Sequence, residues 1–291
     1  MRNERRTGIR PKCQTYIPGV PFPDNLFCTH RLEEALEKPS IVIAAVPSHV
    51  FVETLDRLNP FLSQVEAFVI ATKGLTKTGE FLHEVAQQTL KNIPVALLSG
   101  PSFAKEVAAG MPTALSLACE EPSALEALTA LFHSAHFRIF PSSDRIGVAL
   151  GGVIKNVIAI AVGISDGLAF GANARAALIT QGLGEMRRLC ASLGAEPETA
   201  MSLAGMGDMI LTTTGDLSRN RRFGLGLGQG QTVEATEKAI GQVVEGKYNV
   251  QELLLLAKKH QVELPICQQV YEIIYKGKPA QEAMLDLFNK H

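Results

Sequence analysis

The chain changes its hydrophobic period once, near Asp144, and no other feature constrains its fold as much. Ahead of that point, short apolar runs rich in β-branched residues alternate with amphipathic stretches. Ile41–Val46 leads into a helical pattern from Ser48 to about Leu62, and Ala67–Ala71 into one over Phe81–Leu90. Val95–Leu98 precedes a further helix, and Thr113–Ala118, Ser123–His133 and Phe137–Phe140 complete the series. Such runs suit strands buried on both faces, and their alternation with helices predicts βαβ units in a mainly parallel sheet. Beyond Asp144 only the helical period remains, over Ile146–Ser165, Ala172–Leu193, Glu234–Ile240, Asn249–His260, Pro265–Tyr275 and Pro279–Asn289. The expected fold is α/β and then all-α, a doubly wound parallel sheet over residues 1–143 followed by a helical domain over 144–291.

Composition narrows the partners. Hydrophobic residues make up 46% of the 291, and 28 Lys+Arg balance 29 Asp+Glu, a net charge of -1. A large core is therefore affordable, and nothing in the balance favours nucleic acid or an anionic membrane surface. The Arg-rich start (Arg2, Arg5, Arg6, Arg10) lacks the apolar stretch of a secretory signal and the amphipathic run of a transit peptide. Glycine and charge interrupt every long apolar run, so no bilayer-spanning segment is expected. Five scattered cysteines without a C-x-x-C pair fit free thiols in a reducing cytoplasm. His133 and His136 have no acidic or thiol neighbour, so no metal site is expected.

In an open α/β sheet, ligands gather at the carboxyl ends of the strands. Three such ends carry Val46-Pro47-Ser48, Thr72-Lys73-Gly74 and Ser99-Gly100-Pro101-Ser102. Each alone reads equally well as a turn or cap, but together they aim three loops at one crevice. Lys73 can hold an ammonium over it, Gly100 permits close backbone approach, and Ser102 supplies a hydroxyl at a helix start. Lys155 is the sharpest single residue. It sits in Gly151-Gly-Val-Ile-Lys-Asn-Val-Ile-Ala-Ile-Ala-Val-Gly163, apolar on nearly every face. An ammonium buried there must be paired, put to use, or close enough to an end to reach water. Desolvation moves its pKa toward neutrality, as proton transfer requires. Asp208, in Gly205-Met-Gly-Asp208, is a plausible partner for a buried cation. Ser218-Arg219-Asn220-Arg221-Arg222 puts three guanidinium groups beside a hydroxyl and an amide, a pattern suited to phosphate or to a solvated helix start. The set points to acid–base chemistry on a small phosphorylated substrate. Gly224-Leu-Gly-Leu-Gly-Gln-Gly230 follows no strand and is expected not to bind pyrophosphate.

These segments, with Val244-Glu-Gly246 and in this order, resemble the cytoplasmic NAD(P)-dependent glycerol-3-phosphate dehydrogenases over nearly the whole chain. The 6-phosphogluconate and hydroxyisobutyrate dehydrogenases share the architecture and a helix lysine but not the set. The resemblance implies a Rossmann-like sheet and reversible hydride transfer between sn-glycerol 3-phosphate and dihydroxyacetone phosphate, feeding glycerophospholipid synthesis. It implies Lys155 as proton acceptor or donor in contact with the substrate, with Asp208 holding both Lys155 and a substrate hydroxyl. Lys73, Gly100, Ser102, Ser218, Arg219 and Asn220 would position the substrate, Arg219 and Asn220 gripping its phosphate. Arg2, Lys73, Ala104, Arg219, Val243 and Glu245 would line the NAD or NADP, in a cytoplasmic homodimer.

The departure is at the front, where the family carries a strand and a G-x-G-x-x-G loop and this chain has neither. By comparison the dinucleotide-binding domain is incomplete, and Arg2 falls where a basic residue meets the adenosine end. A displaced start site ahead of an otherwise intact enzyme is the expectation. The alternative is a catalytically inactive homologue serving as a binding or structural subunit. A chain without that loop is expected to hold the coenzyme weakly and to leave a sheet position open.

Overall fold

The computed structural model describes residues 17, 19, 20, 22, 23 and 25–289. A short helix, α1 (Leu32–Ala35), leads into a five-stranded sheet in the order β1 (Ile41–Ala44), β2 (Ala67–Ile70), β3 (Val95–Ser99), β4 (Thr113–Ala118), β5 (Phe137–Ser142). The connecting helices are α2 (Phe51–Leu58), α3 (Leu82–Leu90), α4 (Ala104–Ala108) and α5 (Pro122–Phe132). β1, β2 and β3 run parallel, so their carboxyl ends share one side of the sheet. β4 runs antiparallel to β3 and β5 runs parallel to β4, which makes the sheet mixed, not parallel throughout. Among the described residues β1 pairs with β2 alone, and Ile43 on it is half exposed.

From Arg145 onward the chain is helical: α6 (Arg145–Gly167), α7 (Gly171–Ser192), α8 (Asp208–Thr214), α9 (Arg219–Gly228), α10 (Val233–Ile240), α11 (Glu245–Lys259), α12 (Pro265–Lys276) and α13 (Ala280–Asn289). α6 is the axis of this half, buried over every residue from Leu150 to Ser165. Asp144 starts it, accepting from the Gly147 N–H at 2.8 Å and from Thr199 Oγ1 at 2.6 Å. By length and composition α6 could cross a membrane, contrary to the sequence expectation, but 89% of its most apolar stretch is buried inside the protein. A helix apolar on every side is what a core position demands.

The sequence reading missed α8 and α9. Three glycines, Gly224, Gly226 and Gly228, weaken the helical signal of Arg219–Gly228, since glycine is a poor helix former. Packing explains them. A methyl group added at Gly224 would fall on the Ile160 carbonyl, and one at Gly163 on the Arg221 carbonyl. The glycines of α6 and α9 therefore let two backbones cross at a separation that side chains would forbid, and the Gly224–Gly230 tract is a packing device.

Candidate active site

The three parallel strands deliver their loops to one place, as the sequence predicted. Thr72 ties two of them together: its Oγ1 accepts from the Val46 N–H at 3.1 Å and donates to the Val46 carbonyl at 2.8 Å. Lys73 ties in the third, donating from Nζ to the Gly100 carbonyl at 3.2 Å. Ser102 Oγ donates to the same carbonyl at 3.2 Å. Gly74 (φ +149°) and Gly100 (φ +143°) take backbone angles that side chains disfavour. A Cβ at Gly74 would also strike Ser48, so the Lys73 turn closes only with glycine.

Below these loops lies a triad of charges, with Asp208 and Lys155 buried and Lys73 partly exposed. Asp208, 1% exposed, receives Lys155 Nζ on Oδ1 at 2.8 Å and Lys73 Nζ on Oδ2 at 2.6 Å. Lys155 Nζ also donates to Thr212 Oγ1 at 3.0 Å, while that hydroxyl donates to the Asp208 carbonyl at 2.6 Å. Two of the three ammonium N–H bonds are thus fixed, and the third has no protein acceptor among the described residues. The lysine does not reach out to water, for only 8% of it is exposed. Burial, and then the nearby Lys73 charge, lower the Lys155 pKa to about 8 against the pull of Asp208. Burial alone would raise the Asp208 pKa, but the two ammonium groups override it and hold the carboxyl below its usual range.

Asp208 owes its place to a single π-helical turn, Leu203–Gly207, that swings directly into α8. Thr212 follows by one turn on the same face, and sequence reading missed it. The Asp-x-x-x-Thr spacing was the available signal, since residues four apart on a helix meet.

Lys73 also forms part of the wall of an adjoining cleft of about 750 Å³, with Ala45, Val46, Pro47, Arg219, Val243 and Glu245 among the rest. The structure therefore brings together Lys73, Gly100, Ser102, Lys155 and Asp208 by hydrogen bonds, and Lys73, Arg219, Val243 and Glu245 along one cleft. Ala104 sits exposed at the start of α4, outside that lining, and Arg2 lies outside the described residues.

The cluster at the start of α9 is less open to ligands than its sequence suggested. Ser218 caps the helix, its Oγ accepting from the Arg221 N–H at 3.2 Å. Asn220 is turned inward, donating to Asn156 Oδ1 and accepting from the Gly246 N–H, each at 2.9 Å. Arg221 is committed to Asp166 and Asp216, and Asp166 also binds Arg175. Only Arg219 faces the cleft, its guanidinium held loosely by Gln242 at 3.4 Å. Beside it stand the N–H groups of Arg219 and Asn220 in the first turn of α9, which have no preceding carbonyl to bind.

A family model described as the NAD-dependent glycerol-3-phosphate dehydrogenase N-terminus matches residues 9–125, and its C-terminal counterpart matches residues 144–285. The glycerol-3-phosphate dehydrogenase (NAD(P)+) of Erwinia tasmaniensis is 51% identical over 280 residues, which cover 95% of this chain and 83% of that protein. A crystal structure of glycerol-3-phosphate dehydrogenase from Coxiella burnetii superimposes with a TM-score of 0.92 at 42% identity, covering 96% of this chain and 88% of that one. The Saccharomyces cerevisiae enzyme of the same name superimposes at 0.82 with 26% identity, covering 95% and 83%. Matched through both halves and at half its residues to such a relative, the chain belongs to the NAD-dependent glycerol-3-phosphate dehydrogenase family.

Proposed function

We propose that this chain interconverts sn-glycerol 3-phosphate and dihydroxyacetone phosphate with NAD or NADP, feeding glycerophospholipid synthesis. The observation that carries the reading is the Lys155–Asp208–Lys73 triad, which meets the cleft through Lys73. The cleft suits a dinucleotide: Ala45, Val46, Pro47 and Ala71 offer an apolar wall, and Lys73, Arg219 and Glu245 offer charge along it. Lys73, Arg219, Val243 and Glu245 would hold the coenzyme there, with Ala104 and Arg2 assigned to it from the family pattern. Bound in this cleft, the nicotinamide supplies or takes the hydride.

The protein supplies position and a proton. In reduction, Lys155 gives the proton of its third N–H to the substrate oxygen; in oxidation the neutral amine takes the hydroxyl proton back. With a pKa of about 8, both forms are accessible near neutrality. Asp208 stays ionised and fixes the direction of Nζ, while Lys73, Gly100 and Ser102 hold the glycerol end. Arg219 and the first turn of α9, at Ser218 and Asn220, take the phosphate. The family pattern makes the enzyme a cytoplasmic homodimer with its domains meeting at residues 143 and 144, and the free thiols of Cys28, Cys119, Cys190 and Cys267 suit a reducing compartment. An inactive binding subunit is not favoured, because such a subunit has no use for a desolvated lysine held on a carboxylate.

The test is coenzyme oxidation with dihydroxyacetone phosphate. The wild-type chain should turn over, Lys155→Met should lose about 10²–10⁴-fold in kcat, and unphosphorylated dihydroxyacetone should react poorly. Equal rates for the two ketones would remove Arg219 from its role, and an unimpaired Lys155→Met would remove the lysine.

A further inference from the structure

A line of buried amides runs behind the site and ends on a carboxylate that the chemistry above does not use. The Gly246 N–H donates to Asn220 Oδ1 at 2.9 Å, and Asn220 Nδ2 donates to Asn156 Oδ1 at 2.9 Å. Asn156 Nδ2 donates to Asn249 Oδ1 at 3.0 Å, and Asn249 Nδ2 donates to Glu252 Oε2 at 3.0 Å. The same Glu252 oxygen accepts the Leu75 N–H at 3.3 Å. Asn249 is fully buried, Asn156 is 2% exposed and Glu252 is 4% exposed. Every amide in the line donates in one direction, so no member can flip without breaking the bonds on both its sides.

The line connects four elements that carry the site. Leu75 follows Lys73-Gly74, Asn156 follows Lys155, Asn220 follows Arg219, and Gly246 follows Glu245. It is built to close tolerances. A Cβ at Gly246 would meet Asn220 Oδ1 at 2.9 Å and the Asn156 carbonyl at 2.7 Å, and one at Gly74 would meet Asn249 Nδ2 at 3.4 Å. Glu252 has no cationic partner in this network. Its acceptor oxygen is what both donors need, whether or not the other oxygen carries a proton.

Resting on the functional reading above, we infer that Asn249 and Glu252 are positioning residues: they hold the Lys73 loop in register with the Lys155 helix and the Arg219 helix start, without touching substrate or coenzyme. Glu252 acts as an acceptor rather than as a charge. Glutamine preserves that acceptor and leucine abolishes it, which separates the positioning role from a need for a buried anion.

The experiment uses the full chain with Glu252→Gln, Glu252→Leu and Lys73→Met, and the double variant of the last two. Turnover of dihydroxyacetone phosphate and hydrogen exchange at the Leu75 amide are both measured. Glu252→Leu should lose about 10- to 100-fold in kcat/KM, as small misplacements of a binding group do, and should speed exchange at Leu75 but not at Val69 within β2. Glu252→Gln should stay within about threefold of the wild type, with Leu75 still protected. In the Lys73→Met background the leucine variant should cost almost nothing further, since coupled residues are non-additive. Additive losses, a glutamine variant as poor as leucine, or unchanged Leu75 exchange in Glu252→Leu would each overturn the proposal. If Glu252→Leu does not fold, Asn249→Ala takes its place with the same expectations. A wild-type chain inert toward the substrate would overturn the functional reading instead, and Leu75 exchange would still decide the network.

Discussion

Two buried carboxylates in the helical half, Asp208 and Glu185, are each 1% exposed, yet they do opposite things. Asp208 is paired with two ammonium groups, one of which, that of Lys73, lines the cleft, and its pKa is pulled down. Glu185, within α7, has no ion-pair partner among the described residues, only the more distant charge of Arg188. It accepts the Ile266 N–H at 2.5 Å and the Cys267 N–H at 3.5 Å, at the first turn of α12. Burial drives its pKa up to about 7 against those bonds. Both acids satisfy the demand that a buried charge be met by something. What meets it decides the role: mobile protons and a cleft make a catalytic support, and fixed main-chain N–H groups make a helix clamp.

Removing the charge at Asp208 should show the larger effect. Asp208→Asn leaves Lys73 and Lys155 beside each other without their anion, so turnover should fall about 10²-fold or more and the fold should lose about 3–5 kcal/mol. Urea unfolding alongside the rate assay separates the two losses. A variant with wild-type turnover would put Asp208 in the same class as Glu185.

The pH profile sharpens the same contrast. Lys155 must be protonated to reduce the ketone, and its pKa is about 8. In that direction kcat/KM should therefore fall as the pH rises past about 8. Asp208 is the group that holds this pKa up, so in Asp208→Asn the decline should begin at lower pH. Glu185→Gln should leave the profile where it was. A decline that moved equally in both variants would mean that it reports the fold and not the lysine.

How much of this was legible in the sequence follows from what each residue depends on. Lys155 was legible because an ammonium in an apolar helix has few explanations, and the three strand-end loops were legible because parallel strands share a carboxyl side. The reversal of β4 was not, since apolar runs carry no direction. α9 was hidden by its own glycines, whose use shows only when α6 lies against it. Arg221 read as a phosphate ligand beside Arg219, and no local pattern says that Asp166, 55 residues earlier, claims it. Asn249 and Glu252 were overlooked for a related reason: a polar residue in a helix looks solvated until its three neighbours in space are known.

The smallest effect belongs to Glu185, and it concerns stability alone. Its folded pKa of about 7 lies above the ordinary 4.5, so between those values the folded protein binds more protons than the unfolded chain. The contribution is fully present below pH 4.5 and is lost as the pH rises through 7, about 3 kcal/mol in all. Asp208, with its lowered pKa, contributes in the reverse sense, losing stability as the pH falls. Glu185→Gln keeps an acceptor for the Ile266 N–H but cannot ionise. Near pH 5 it should melt close to the wild type, and by pH 8 it should melt several degrees higher, because the wild type then buries an ionised carboxylate without an ion-pair partner. Glu252, also pushed up to about 7 by burial, leaves a residual slope of the same sign in the variant. If the two melting curves run parallel from pH 5 to pH 8, Glu185 is not titrating in that window, and the α12 N–H groups hold its charge as firmly as the lysines hold that of Asp208.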